Sequence, residues 1–141
     1  MDDYIEKFFQ NHEEGHFVTH KYQITKDDYE NYLNLFKDTS SVHTSAIYAR
    51  ERGFKDIVIH GSMINGILSN FTGTIFPGDR SFTQSTETQF KSPIYVGDEL
   101  EVKCTLSQIV ESVHVVILDF EIFNITQNKL SVEARIQSGI L

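Results

Sequence analysis

The sequence predicts an α+β domain in which one antiparallel sheet wraps a single buried helix. Three observations predict it. Apolar residues between Ser62 and Phe76 fall on more than one side of a helix; nearly everything after Asp79 reads as four long strands; and one further strand precedes the helix. With 141 residues, 40% hydrophobic and 12% aromatic, the chain is expected to form one domain over residues 1–141 around one core.

Residues 1–15 read as a short amphipathic helix with Tyr4, Ile5, Phe8 and Phe9 on one side, stopped near Gly15. The run HFVTHKYQIT alternates, placing Val18, His20, Tyr22 and Ile24 on one mainly apolar strand face. Thr25 is a plausible N-cap with Asp28 three residues on, so a helix is expected over about 26–37, delivering Asp38 at its end. After a DTSSVH loop, Thr44 or Ser45 caps a short helix through Ala46, Ile47 and Ala49, which Gly53 stops. Residues 56–59 form an extended approach to His60.

From Ser62 to about Phe76, Met63, Ile64, Ile67, Leu68, Phe71 and Ile75 fit a buried helix ending at Pro77-Gly78. Gly66 and Gly73 each cost about 1 kcal/mol inside it, which suggests that something, either a strand or a ligand, packs closely against that helix. Ser81–Phe90, Glu99–Val110, Val113–Phe123 and Lys129–Ile140 follow as strands, separated by turn signals at Pro93, Gly97-Asp98, Glu111-Ser112 and 126–128. Short links between consecutive strands point to an antiparallel meander. This order is that of the hot-dog fold, an antiparallel sheet wrapped around a central helix. Its long strands leave an edge, so we expect a homodimer.

A net charge of −8, with 12 scattered basic residues, argues against nucleic-acid binding. The lone Cys104 shares a strand face with Val102 and Leu106 and reads as core. Acidic residues stand where a signal peptide would be basic, and no 18-residue apolar run occurs, so no membrane partner is expected and the cytoplasm is the expected address. His16, His20 and His114 lack metal-ligand spacing, so no metal is expected.

The segment from Asp38 to Gly61 concentrates the chemistry: a carboxylate, His43 five residues on, and His60-Gly61 opening the central helix. An Asp before a Ser-rich loop is usually a turn residue; the two histidines argue for more. One carboxylate and one imidazole can hold a water and move its proton. The N–H of a helix N-terminus can meet an oxyanion, and Gly61 has no side chain to obstruct it. His60 orients the loop or the helix start. Met63, Ile67 and Phe71 are most simply core.

These residues resemble the MaoC-like hydratases, specifically the single-domain (R)-specific enoyl-CoA hydratases, over about Gly15 to Val102. That family carries D-x-N-P-x-H, V-H-G-M and P-x-x-x-G-D; here stand Asp38-Thr39-Ser40-Ser41-Val42-His43, Ile59-His60-Gly61-Ser62 and Pro93-Ile94-Tyr95-Val96-Gly97-Asp98. Ser69 matches a serine about two turns into the central helix. Ser40-Ser41 replaces the family's Asn-Pro, and Ser62 its Met. The resemblance implies reversible syn addition of water to a trans-2-enoyl thioester, giving an (R)-3-hydroxyacyl thioester. Asp38 and His43 would be the catalytic pair, Gly61 N–H would bind the carbonyl, and His60, Ser62 and Ser69 would support them. No metal or redox cofactor is implied. The substrate would be carried by coenzyme A or acyl carrier protein, with coenzyme A favoured by the acidic charge and Arg80, Lys91 and Lys103 as candidates for its phosphates.

Two other readings stay open. Thioesterases and fatty-acid-synthesis dehydratases of this fold commonly place a carboxylate on the central helix, where this chain has none between Ser62 and Phe76. A binding module that has lost the reaction would account for Ser40-Ser41 and Ser62.

Overall fold

The computed structural model describes residues 2–141; Met1, the first residue of the expected N-terminal helix, lies outside them. The elements run α1 (Asp3–Asn11), β1 (Phe17–Gln23), α2 (Lys26–Phe36), α3 (Ser41–Thr44), α4 (Ala46–Glu51), α5 (Gly61–Thr74), β2 (Ser81–Phe90), β3 (Glu99–Val110), β4 (Val115–Asn124) and β5 (Lys129–Ile140). The helix boundaries follow the caps. Asp2 Oδ1 accepts the Tyr4 N–H at the head of α1. Thr25 and Asp28 form a reciprocal capping box on α2, and of the two candidates for α4 it is Ser45 that caps, accepting from Tyr48 N–H. One helical turn, α3, forms where a loop was expected, with the His43 and Ser45 N–H groups bonded to the Ser40 and Ser41 carbonyls.

The sheet is five-stranded and antiparallel in the order β1-β3-β4-β5-β2. The expected meander therefore holds only for β3-β4-β5. β2 pairs with β5 from Ser81↔Ile140 to Phe90↔Val132, so the chain must cross the end of the sheet before β3 begins. That crossover, 91–98, is anchored as it goes. Lys91 N–H donates to the Ser131 carbonyl, Ile59 N–H donates to the Ile94 carbonyl, and Gly97 N–H donates to the Ile24 carbonyl. Asp98 knots its end: buried Oδ2 accepts from Tyr95 N–H at 3.0 Å, Asn124 Nδ2 at 2.7 Å and Gln127 Nε2 at 2.7 Å. β4 begins at Val115 rather than Val113, because Glu111–Val113 form a 3₁₀ turn and His114 takes a left-handed conformation (φ 53°) to reverse the chain.

The inner face of the sheet buries Leu100, Val102, Cys104 and Leu106 of β3 and Val116, Leu118, Phe120 and Ile122 of β4 against α5. α5 contributes Ile64, Ile67, Leu68 and Phe71, and the Phe71 ring meets Phe120 edge-on at 5.4 Å. Each fully buried aliphatic or aromatic side chain contributes roughly 1.5–3 kcal/mol, so this one interface dominates the fold. Burial also pushes the Cys104 thiol up to about 12, leaving it an inert core group. The apolar face of β1 is only half covered, with Val18 and Tyr22 partly buried and His20 exposed, because β1 is an edge strand. The sheet does pack closely on α5, but not at these two glycines: among the described residues a Cβ at Gly66 or Gly73 would meet open space. Close approach occurs instead at Gly61.

Truncating Phe71 to alanine should cost about 3–5 kcal/mol in urea unfolding. Asp98→Ala, which leaves buried Asn124 without its acceptor, should cost about 2–3 kcal/mol while leaving the core untouched.

Candidate active site

Two short segments are laced together to make the site. α2 ends at Lys37, whose left-handed conformation (φ 58°) and N–H bond to the Leu33 carbonyl turn the chain out at Asp38. Val58 N–H then donates to the Val42 carbonyl at 3.1 Å, holding the extended 57–60 segment against the 38–43 loop. The histidines complete the lacing. His43 Nδ1 lies 2.6 Å from the Val58 carbonyl, and His60 Nε2 lies 2.8 Å from the Asp38 carbonyl. A carbonyl only accepts, so each of these nitrogens carries its ring's proton. His43 therefore presents Nε2 as a free base, and His60 keeps a bare Nδ1 lone pair, buried and without a partner.

His60 is 1% exposed. Its ring stacks on His43 at 3.8 Å and 22°, with Tyr32 at 4.9 Å and Tyr29 at 5.6 Å enclosing the rest. Tyr29 also fixes the loop directly, its hydroxyl donating to the His43 carbonyl at 2.5 Å. Asp38 stands at the rim with its side chain 50% exposed. Its Oδ1 accepts from Ser40 Oγ–H at 2.5 Å and Ser40 N–H at 3.2 Å, and Oδ2 lies 3.7 Å from His60 Nε2. The Ser40 hydroxyl, then its N–H, and more weakly the neighbouring imidazoles hold the carboxyl below the usual range. Asp38 is thus a carboxylate at neutral pH.

One ligand atom from each of Asp38, His43 and His60 lies within 4.8 Å of the others. Two oxygen- or nitrogen-bearing groups at that spacing can both hydrogen-bond one water, about 2.8 Å from each. The same trio is poorly disposed to hold a metal ion: lone pairs in stacked, nearly parallel rings point side by side rather than converging, and His60 Nε2 is already engaged with a carbonyl.

Gly61 is the first residue of α5, so its N–H has no intrahelical partner, and the preceding His60 gives no side-chain cap. It opens into a cavity of about 430 Å³ shared with His43, Val58, Ile64, Phe90 and Pro93. A methyl group at Gly61 would stand 2.7 Å from Phe90 Cζ, a contact no other residue type could make without displacing the ring. Asp38, His43, His60 and Gly61 are therefore brought together. Ser62 is not in the cavity: it is exposed, hydrogen-bonded to the Tyr32 hydroxyl, and borders a second apolar groove with Met63 and Gly66. Ser69 is exposed about 12 Å further along the helix, bordering neither, and only its carbonyl is used, by the Thr72 hydroxyl.

Of the basic residues suggested for phosphates, only Lys91 lines the cavity, 3.7 Å from Glu133. Arg80 is spent at the other end of β2 on Asp2 and the Tyr4 ring, and Lys103 lies over Phe17 on the outer face of the sheet. Sequence reasoning missed Tyr29 and Tyr32, which carry no motif. It could have found Ser40, which stands where the resembled pattern has an amide and makes the loop-fixing bonds itself.

Because a lowered carboxyl is ionised in the folded state, any stability it contributes is present above the ordinary carboxylate range and lost as pH falls through the lowered value. A carboxyl-carbon NMR titration should place Asp38 below the usual carboxylate value, and Ser40→Ala should move its midpoint upward.

Known proteins bear on these observations. The family model described as MaoC like domain matches residues 8–121. An (R)-specific enoyl-CoA hydratase of Rhodospirillum rubrum is 28% identical over 109 residues, covering 77% of this chain and 76% of the relative. A 3-hydroxybutyryl-CoA dehydratase of Methylorubrum extorquens is 26% identical over 103 residues, covering 73% of this chain and 66% of the relative. Among solved structures, the (R)-hydratase from A. caviae involved in PHA biosynthesis superposes with a TM-score of 0.84 at 21% identity, covering 94% of this chain and 99% of that one. An unliganded R-hydratase from Pseudomonas aeruginosa superposes with a TM-score of 0.83 at 22% identity, over 94% of this chain and 84% of that one.

Proposed function

The chain belongs to the MaoC-like domain family, and on that premise we propose that it is an (R)-specific enoyl-CoA hydratase, a hydro-lyase that adds water reversibly to a trans-2-enoyl thioester. The observation that carries this reading is the spacing of Asp38 and His43: one atom of each lies within 4.8 Å of the other, beside a cavity that Gly61 opens into. The names of the Rhodospirillum and Methylorubrum relatives support the same chemistry.

In the forward direction a water lies between the Asp38 carboxylate and His43 Nε2. Its oxygen forms the bond to C3 as one of its protons passes to this pair, and the C2=C3 π electrons move toward C2 and the thioester carbonyl. The carbonyl oxygen, gaining enolate charge, accepts from Gly61 N–H at the positive end of α5. A proton then returns from the pair to C2 on the same face, so both hydrogens of the product come from the one water. Dehydration is the same path reversed. His60 takes no proton in this scheme: by holding the Asp38 carbonyl and stacking on His43 it fixes where both reacting groups stand. Ser62 and Ser69 stand outside the reacting cluster, in supporting roles at most.

Coenzyme A suits the site better than acyl carrier protein, because receiving an acidic protein on a chain of net charge −8 would need a local basic patch, whereas the phosphates of coenzyme A need only a few cations, of which Lys91 lines the cavity. We also read the protein as a homodimer. β2 forms one edge of the sheet over ten residues, most of them exposed, and pairing with a second copy along it would satisfy its free backbone groups. Among the described residues no helix is long and apolar enough to cross a membrane. A single domain spanning 1–141 in the cytoplasm is the setting we propose.

Hydration of crotonyl-CoA, followed by loss of enoyl absorbance, tests the reading. Wild type should turn over, and Asp38→Asn and His43→Ala should each lower kcat by at least about a hundredfold while the unfolding midpoint of Asp38→Asn stays close to wild type. Wild type that is folded yet inert on crotonyl-CoA and on longer enoyl-CoAs would overturn it.

A further inference from the structure

The cavity holding His43 and Gly61 is lined in part by α5 and β2, and the seam between these two elements is tied at three levels. α5 and β2 run antiparallel there. At the first level the Phe90 ring rests on Gly61. One turn along the helix, Thr88 Oγ donates to Asn65 Oδ1 at 2.6 Å. At the far end, Ser81 Oγ donates to the Thr72 carbonyl at 2.9 Å. Beside the Asn65–Thr88 bond the next residues on both elements are polar and exposed, Ser69 on the helix and Thr86 on the strand, while Leu68 is buried in the core.

The consequence follows from what an alkyl chain requires. It is held by apolar walls, and each methylene that finds them gains affinity. A chain pushed along this seam would have to part the Asn65–Thr88 bond and leave a part-buried amide and hydroxyl facing alkyl carbon in place of each other, which is the costly way to accommodate a ligand. About 6 Å of helix rise separates Gly61 from Asn65, room for only a few extended carbon–carbon bonds beyond a carbonyl bound at Gly61. Toward the cavity, by contrast, Ile64, Phe90 and Pro93 supply the apolar lining.

We infer that Asn65 and Thr88 set the length of acyl chain this site accepts, confining it to short acyl thioesters by latching the α5–β2 seam one helical turn past Gly61. The inference rests on the reading that a thioester carbonyl binds at Gly61, but its test does not depend on turnover.

The experiment is calorimetric titration of butyryl-CoA and decanoyl-CoA into wild type, Thr88→Val and the Asn65→Ala/Thr88→Val double variant, with crotonyl-CoA hydration measured in parallel. Wild type should bind butyryl-CoA at least about tenfold more tightly than decanoyl-CoA, and the double variant should erase or reverse that ratio. Thr88→Val is nearly isosteric at a half-buried position and should move the ratio the same way by a smaller factor, which decides the matter if the double variant does not fold. Decanoyl-CoA bound by wild type as tightly as butyryl-CoA, a ratio that neither variant moves, or no binding of either thioester would each overturn the inference. A preference for butyryl-CoA that the variants abolish, in a protein inert on crotonyl-CoA, would uphold the length limit and remove the hydratase reading alone.

Discussion

A reciprocal exchange between two imidazoles and two main-chain carbonyls holds the site. His43, on the loop after α2, donates to the Val58 carbonyl; His60, on the segment before α5, donates back to the Asp38 carbonyl. Each bond crosses from one segment to the other, and the rings stack face to face between them. Nearly everything else at the site depends on this arrangement. It selects the tautomer that leaves the proton off His43 Nε2, it gathers Asp38, His43 and His60 within 4.8 Å of one another, and His43 shares its cavity with Gly61 at the head of α5. The arrangement also has a cost, since His60 Nδ1 is buried with nothing to accept. Aromatic neighbours rather than a polar partner surround it: His43, Tyr32 and Tyr29.

How much of this was legible in the sequence depends on whether the controlling physics is local. The capping box at Thr25 and Asp28, the strand limits at Ser81–Phe90 and Lys129–Ile140 and the core face of α5 are set by neighbours a few residues apart, and they were read correctly. The pairing of β2 with β5 is not local. Short links between successive strands favour a meander, but the 91–98 link is held by Ser131, Ile24 and Asn124, distant residues whose meeting no spacing reveals. The glycines teach the same lesson: Gly66 and Gly73, the ones singled out in the sequence, have open space beside them, whereas the one a ring from another element rests on is Gly61.

The site was legible in part for the same reason. The Asp38-to-His43 step and His60-Gly61 lie close enough in sequence to be seen as one group, whereas Tyr29, Tyr32 and Phe90 reach it from other elements. Ser40 shows that a departure from a motif can conserve its physics. Where the resembled pattern has a side-chain amide, a hydroxyl bonds the carboxylate, and α3 supplies a turn where a proline would have stiffened the chain. Ser41 occupies the first helical position, the one where proline is best tolerated, so the loss is one of rigidity rather than of shape.

The Asp98 knot has a consequence for anyone wishing to modify this protein. The β4–β5 turn lies at the sheet's end and looks like a free place to attach a label or graft a peptide. Yet Gln127 in that turn bonds both the Asp98 carboxylate and the Pro93 carbonyl, and Pro93 is part of the cavity wall. A graft there would tug on the pocket through two hydrogen bonds, so a surface alteration would be felt as a change in ligand fit. The 3₁₀ turn at Glu111–Val113, whose residues are exposed and border none of the site's walls, is the more forgiving point of attachment.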